Sequence, residues 1–282
     1  MAIETLSPAP QVNAAAQAYS DECLRRAALA VEGGDCRYLP DIAYGPDPLQ
    51  RLDIWAPKPA GAPAGLPVLV FFHGGNFTHG YKEWCAFMAP AITAFPALLV
   101  AAGYRHAPGT SYRAIIGDGL AALKLVSDRI AEWGGDPRRV WLGGHSAGAQ
   151  MVCEIALDHE RRAAAGLGDE AFRGVFPISG NYRRSLSALE SDPALRQPEG
   201  TPDSPLDRAG AARHPFLLAW GGEEKPYVHE GGQAMAEAME AAGADVSRLV
   251  IPGQDHFQVH LSCTAPGGAW LAAVQAAMTG AP

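Results

Sequence analysis

The segment from Val140 to Ala149 is an apolar run that leads into Gly144-His145-Ser146-Ala147-Gly148 and on into a helix-forming stretch. In that context Gly-x-Ser-x-Gly reads as a nucleophile elbow, a tight strand-to-helix turn that holds Ser146 up at the end of a sheet. A serine hydroxyl is a poor nucleophile at its ordinary pKa. It needs a base beside it and donors for the oxyanion it creates. Small residues also make this pattern a common glycine-rich turn, so its partners elsewhere in the chain decide the matter. No Gly-x-Gly-x-x-Gly dinucleotide loop fits here, and no phosphate-binding Gly-Lys-Ser/Thr loop occurs.

Nine histidines are available as the base. His256 lies in the loop Pro252–Phe257, directly after the strand-like run Arg248–Ile251 and far from the serine in sequence. His79, His106, His159, His214, His229 and His260 read as surface or capping residues, and His73 as a structural residue of its loop. The His145 ring is expected to point away from the hydroxyl. His256 and His260 are four apart, but no His-Glu-x-x-His pattern or matching carboxylate accompanies them, so no metal is expected. An acid must fix the imidazole tautomer. The strand-like run Pro215–Trp220 ends in Gly221-Gly222-Glu223-Glu224-Lys225-Pro226, which offers Glu223 or Glu224. Asp255 adjoins the base and should point to a different side. Upstream, the buried-strand run Pro67–Phe72 empties into His73-Gly74-Gly75-Asn76-Phe77, where glycines leave backbone N–H groups open to close approach.

With these residues together the chain resembles the α/β-hydrolase group that contains the serine-dependent kynurenine formamidases and the hormone-sensitive-lipase-like carboxylesterases. The likeness runs from Asp53 to Val259, through Leu52–Trp55, His73–Phe77, Cys85–Met88, Tyr104–Pro108, Gly144–Ala149, Gly221–Val228 and Asp255–Phe257. It implies the chain order serine, acid, histidine, which Ser146, Glu224 and His256 satisfy. Pro226, two residues after the acid in this alignment, favours Glu224 over Glu223. The resemblance also assigns the oxyanion donors to the backbone N–H groups of Gly75, Asn76 and Ala147. The chain departs from both subfamilies. Asn76-Phe77 replaces the aromatic pair of the formamidases, a Glu replaces their usual Asp, and His73-Gly74-Gly75-Asn76 replaces the His-Gly-Gly-Gly of the esterases.

The implied chemistry is two-step acyl transfer on Ser146, without cofactor, on a small-molecule substrate. A carboxylesterase for small esters is the broader expectation. The sharper alternative is an arylformamidase that cleaves N-formyl aryl amides such as N-formylkynurenine. A non-catalytic binding module on a hydrolase scaffold is a third reading, disfavoured by the intact serine, histidine, acid and loop. Phe77, Trp84, Tyr182 and Phe257 are aromatic neighbours of these loops and are expected either to line an acyl or aryl pocket or to pack in the core.

The scaffold must bring residues from four loops to one sheet end. Strand-like runs recur at 42–44, 52–55, 68–72, 97–102, 140–143, 174–179, 216–220 and 248–251, with helical stretches at 112–133, 149–160, 232–242 and 268–278. Apolar runs alternating with amphipathic helices predict an α/β-hydrolase fold, a mostly parallel sheet covered on both faces, with 42–44 and 52–55 as an opening antiparallel pair. One domain spanning 1–282 is expected. Residues 1–40, helical around Val12–Val31, and the Pro-, Ser-, Asp- and Arg-rich insertion 181–213 are candidate elements of a small lid. A net charge of −8 and a pI near 5.6 argue against a nucleic-acid partner. The first residues lack a basic, then apolar, leader, and no apolar run approaches a membrane span, so a cytoplasmic protein without a membrane partner is expected. Five cysteines without paired spacing agree with a reducing compartment. A homodimer is compatible with the sequence, which does not itself specify an assembly.

Overall fold

The structure, a computed structural model, describes residues 10–58, 65–184 and 204–280. Among these, eight strands form one sheet: β1 Cys36–Ala43, β2 Arg51–Pro57, β3 Leu66–Phe72, β4 Leu98–Ala102, β5 Gly135–His145, β6 Val175–Ile178, β7 Phe216–Gly221 and β8 Val246–Ile251. Their spatial order is β1-β2-β4-β3-β5-β6-β7-β8. The first two strands pair antiparallel, β2 pairs antiparallel with β4, and every later pairing is parallel. The helices are α1 Ala14–Glu32, α2 Ala89–Ala94, α3 Tyr112–Arg129, α4 Ala147–Leu157, α5 His159–Ala164, α6 Pro226–Ala241, α7 Gln258–Leu261 and α8 Ala269–Thr279.

The strand sequences explain this layering. Side chains alternate across a strand, and a parallel sheet is buried on both sides, so its strands read as unbroken apolar runs. In β3, Val68, Val70 and Phe72 enter one core with α3, α4 and α6, while Leu69 and Phe71 enter a second core with α1, α2 and α8. In β4, Leu98, Val100 and Ala102 face the first core and Leu99 and Ala101 the second. A one-residue slip in either strand would exchange its two sets of side chains between the cores, so both faces hold the register.

Several boundaries differ from the sequence expectation. The strand expected at 42–44 begins at Cys36, within the N-terminal segment 1–40, whose helix, expected around Val12–Val31, runs from Ala14 to Glu32. The helix expected over 149–160 breaks at Asp158, whose carboxylate accepts the Arg161 N–H and starts α5. The stretch 112–133 ends its α-helix at Arg129 and closes with a turn of 3-10 helix, Ile130–Trp133. Helix α6 begins at Pro226, six residues earlier than expected, because proline at the first helical position needs no N–H partner. Of the insertion 181–213, residues 185–203 lie outside the described residues. Its C-terminal flank forms the 3-10 helix Leu206–Ala211, which packs on α6. No helix among the described residues is long and apolar enough to cross a membrane.

Candidate active site

Strand β5 ends at His145, and α4 begins at Ala147. Ser146 bridges them with φ +55° and ψ −113°, a backbone conformation that a side-chain-bearing residue adopts only when its surroundings impose it. Here its N–H donates to the Ile178 carbonyl of β6 at 2.8 Å. Gly148 supplies the close approach the elbow needs: a Cβ there would stand 2.1 Å from the Phe72 carbonyl oxygen of β3. The N-terminus of the eleven-residue α4 points at the serine and favours negative charge beside it.

His256 Nε2 is 2.9 Å from Ser146 Oγ. Its Nδ1 is 3.0 Å from Glu224 Oε2 and 3.2 Å from Oε1. A carboxylate only accepts, so Nδ1 carries the imidazole proton and the bare Nε2 accepts the serine O–H. The Glu224 side chain is fully buried, whereas Glu223 is exposed and uses its backbone N–H on the Gln254 carbonyl. Asp255 is also accounted for. Its Oδ1 accepts the N–H groups of Phe257 and Gln258 at 2.9 and 2.8 Å, capping the short helix α7. Three loops thus bring serine, imidazole and carboxylate into one hydrogen-bonded line, the arrangement a serine nucleophile requires.

The loop after β3 lies alongside. Gly75, Asn76 and Phe77 have φ of +115°, +56° and +63° in succession. At Gly75 a Cβ would also meet the His79 carbonyl oxygen at 2.1 Å, so both conformation and space require glycine. No acceptor among the described residues takes the backbone N–H of Gly75 or Asn76. The left-handed run is held from both sides. Phe77 is fully buried against Tyr104 and Tyr112, and the Asn76 Oδ1 accepts from Arg184 at 2.7 Å. His73 acts structurally: its ring stacks on Tyr104 at 4.2 Å and its Nδ1 bonds the Gly74 carbonyl at 2.6 Å. Burial without a charged partner drives its pKa down to about 3, so it stays neutral.

A cavity of about 260 Å³ opens over Ser146, with Gly75, Asn76 and His256 in its wall. Trp84 and Phe257 line it. Phe77 and Tyr182, put forward for the same wall, are core residues, 0% and 1% exposed. Phe77 anchors its loop, and the Tyr182 ring packs against the Gly180 backbone. Helix α1 contributes a side of the cavity that the sequence left general, with Asn13, Ala16 and Tyr19. The sequence places His260 among the surface or capping histidines. It is wholly buried, with Nδ1 2.7 Å from the Tyr19 hydroxyl. His145 likewise lines the cavity and sets Nε2 2.7 Å from the His256 carbonyl oxygen.

The order of strands and the serine elbow at the sheet's parallel heart define the class: the chain has the α/β-hydrolase fold, and residues 69–194 match a family model described as alpha/beta hydrolase fold. It is 29% identical over 251 residues to a probable isoprenylcysteine alpha-carbonyl methylesterase, ICMEL1, of Arabidopsis thaliana, covering 80% of this chain and 52% of that protein. It is 24% identical over 256 residues to kynurenine formamidase of Danio rerio, covering 85% and 84%. Among solved structures, a putative thioesterase from Silicibacter sp. TM1040 shares the fold with a TM-score of 0.73 and 21% identity over 93% of this chain and 94% of that one. The chain spans about half the length of the plant methylesterase it matches.

Proposed function

We propose that the protein is a serine-dependent carboxylic ester hydrolase for small esters, working through an acyl-enzyme on Ser146. The observation that carries this reading is the line Ser146 Oγ, His256 imidazole, Glu224 carboxylate, at 2.9 and 3.0 Å. Ser146 Oγ attacks the carbonyl carbon as His256 Nε2 takes its proton. The carbonyl π electrons move onto oxygen, where the N–H groups of Gly75, Asn76 and Ala147 receive the negative charge. As the intermediate collapses, the imidazolium protonates the leaving alcohol, and the C–O bond to it breaks. Water then repeats the sequence: it loses a proton to His256, attacks the acyl carbon, and Ser146 leaves with that proton. Glu224 keeps the Nδ1–H tautomer and stabilises the imidazolium in both steps.

The cavity sets the scale of the substrate. At about 260 Å³ it falls just below the roughly 300–1,000 Å³ typical of small-molecule sites, which suits a short acyl chain. Arylformamide hydrolysis is the second reading, favoured by the aromatic wall that Trp84, Phe257 and Tyr19 present to a flat leaving group. The same triad serves both, since formyl is the smallest acyl group. The five cysteines are all buried free thiols, which supports a reducing, cytoplasmic setting.

Replacement of Ser146 by Ala is expected to lower kcat by roughly a million-fold, the scale seen when a triad nucleophile is removed. Turnover of p-nitrophenyl acetate that survives in the purified variant would end the assignment. Comparison of kcat/KM for p-nitrophenyl acetate and butyrate with that for N-formylkynurenine separates the two readings: the esters should be preferred, and a clear preference for the formamide transfers the assignment to the second.

A further inference from the structure

The acyl-transfer steps leave a buried pair of histidines unused. His145 and His260 stack face to face, with centroids 4.7 Å apart and planes 6° from parallel. Burial holds both neutral: it drives His145 well below the ordinary range and His260 down to about 3. Between their Nδ1 atoms lies the hydroxyl of Tyr19, 2.7 Å from His260 and 3.4 Å from His145. Tyr19 is itself 4% exposed and stacks on Phe257 at 4.7 Å. The far nitrogen of His145 faces the main-chain carbonyl of His256 at 2.7 Å.

Elementary donor counting orients this chain. A carbonyl only accepts, so the His145 proton sits on Nε2, and its Nδ1 must accept. The Tyr19 O–H is the donor within reach. That leaves the Tyr19 oxygen to accept from His260, whose proton is then on Nδ1. The opposite arrangement would strand an N–H on His260 Nε2, which has no partner among the described residues. A buried N–H without an acceptor gives up its hydrogen bond to water and gains none in return, so the first arrangement is favoured. The direction is therefore His260 to Tyr19, Tyr19 to His145, and His145 to the His256 carbonyl.

We propose that Tyr19 and His145 are positioning residues of the reaction: Tyr19 holds His145 as its Nε2–H tautomer, and that N–H pins the backbone of the catalytic His256 at reach of Ser146. This rests on the serine-hydrolase reading above. It gives helix α1 a second task besides walling the cavity. The helix clamps the histidine loop from 241 residues away in sequence, the separation of Tyr19 and His260. It also gives the residue beside the nucleophile a reason to be histidine, since the elbow itself requires no imidazole there.

The test uses the full chain and three variants: Tyr19→Phe, His145→Leu and His145→Gln. Misplacing a reacting group by about 1 Å costs on the order of a hundredfold. His145→Leu should therefore lower kcat by about tenfold to a hundredfold, with KM within about twofold of the parent. His145→Gln, whose amide N–H stands near the position of Nε2, should recover most of that loss. Tyr19→Phe, which keeps the ring and its packing, should lose about fivefold in kcat, and a fluorophosphonate should label Ser146 correspondingly more slowly. Parental kcat in folded His145→Leu, equal loss in the Leu and Gln variants, or a change confined to KM would overturn the proposal. If the Leu variant does not fold, Tyr19→Phe decides alone, and parental kcat there counts against it. Failure of the fluorophosphonate to label Ser146 in the parent protein would instead overturn the underlying hydrolase reading.

Discussion

Glu224 and Glu223 are chemically identical neighbours, and only the path of the backbone separates them. After β7 the chain turns against the loop that carries His256. Glu223 spends its N–H on the Gln254 carbonyl and leaves its side chain in solvent. The next residue faces inward, where its carboxylate meets Nδ1 and is covered completely. Removing the charge while keeping the shape should therefore be costly at one position and harmless at the other. Glu224→Gln is expected to lower kcat by about ten-thousand-fold, because an amide at Nδ1 no longer favours the working tautomer or the imidazolium. Glu223→Gln should stay within about twofold, as expected of an exposed charge that touches no reacting atom. Steady-state kinetics on the two purified variants checks this, and equal losses would return the acid to ambiguity.

At the scale of elements, the walls of the site are fixed by polar contacts as well as by packing. The 3-10 helix Lys82–Met88 carries Trp84 into the cavity wall, and its first turn is tied to the antiparallel edge of the sheet. Lys82 Nζ lies 2.6 Å from Glu83, 2.9 Å from Asp53 of β2 and 3.1 Å from Asp41 of β1. Asp53 also accepts the Tyr38 hydroxyl at 3.0 Å and the Asp41 N–H at 2.9 Å. Burial alone would lower the Lys82 pKa, but Asp53 and Glu83 outweigh it and raise it, so the lysine stays charged. Lys82→Met would leave Asp53 and Glu83, both buried, without this cation. Breaking a buried pair from one side costs about 3–5 kcal/mol, and a fall of that size is expected in the unfolding free energy from urea titration at pH 7.5. A loss of unfolding free energy below about 1 kcal/mol, the range of an exposed pair, would mean that water or rearrangement compensates the carboxylates. The same helix receives α1: Trp84 Nε1 donates to Ser20 Oγ at 3.1 Å, and its ring meets Tyr19 edge-on at 5.2 Å. Thus β1, β2, the 3-10 helix and α1 form a continuous support on the side of the sheet that also bears Phe257.

Across the whole molecule, the legible features were those written locally. Unbroken apolar runs marked the parallel strands, because burial on both faces removes alternation. The elbow and the loop after β3 were visible through glycines that no other residue could replace, and His256 through its place after the last strand. The buried polar contacts were not legible in this way. Tyr19, His145 and His260 are 126 and 241 residues apart, and no local pattern tells a buried, neutral histidine from a solvated one. The available clue was Tyr19 itself, a lone aromatic on a helix otherwise rich in alanine. Those buried imidazoles have a consequence for the entire fold. His73, His145 and His260 are each at most 1% exposed and kept neutral, two of them with pKa driven down to about 3 by burial. In the unfolded chain each regains a pKa near 6.5. As pH falls through that value the unfolded state takes up protons that the folded state refuses, so stability is full above it and drains away towards about 3. Asp53 and Glu83, raised by burial, act in the opposite sense, but the three imidazoles outnumber them. Between pH 7 and 5.5 each histidine should remove about 1 kcal/mol, so the urea midpoint should fall steeply across a window where ordinary carboxylates are still ionised. Urea titrations at half-unit pH steps would show it. A midpoint that holds level or rises between pH 7 and 5.5 would mean that these rings accept protons in the folded state, and the neutral His145 on which the clamp of His256 depends would have to be given up.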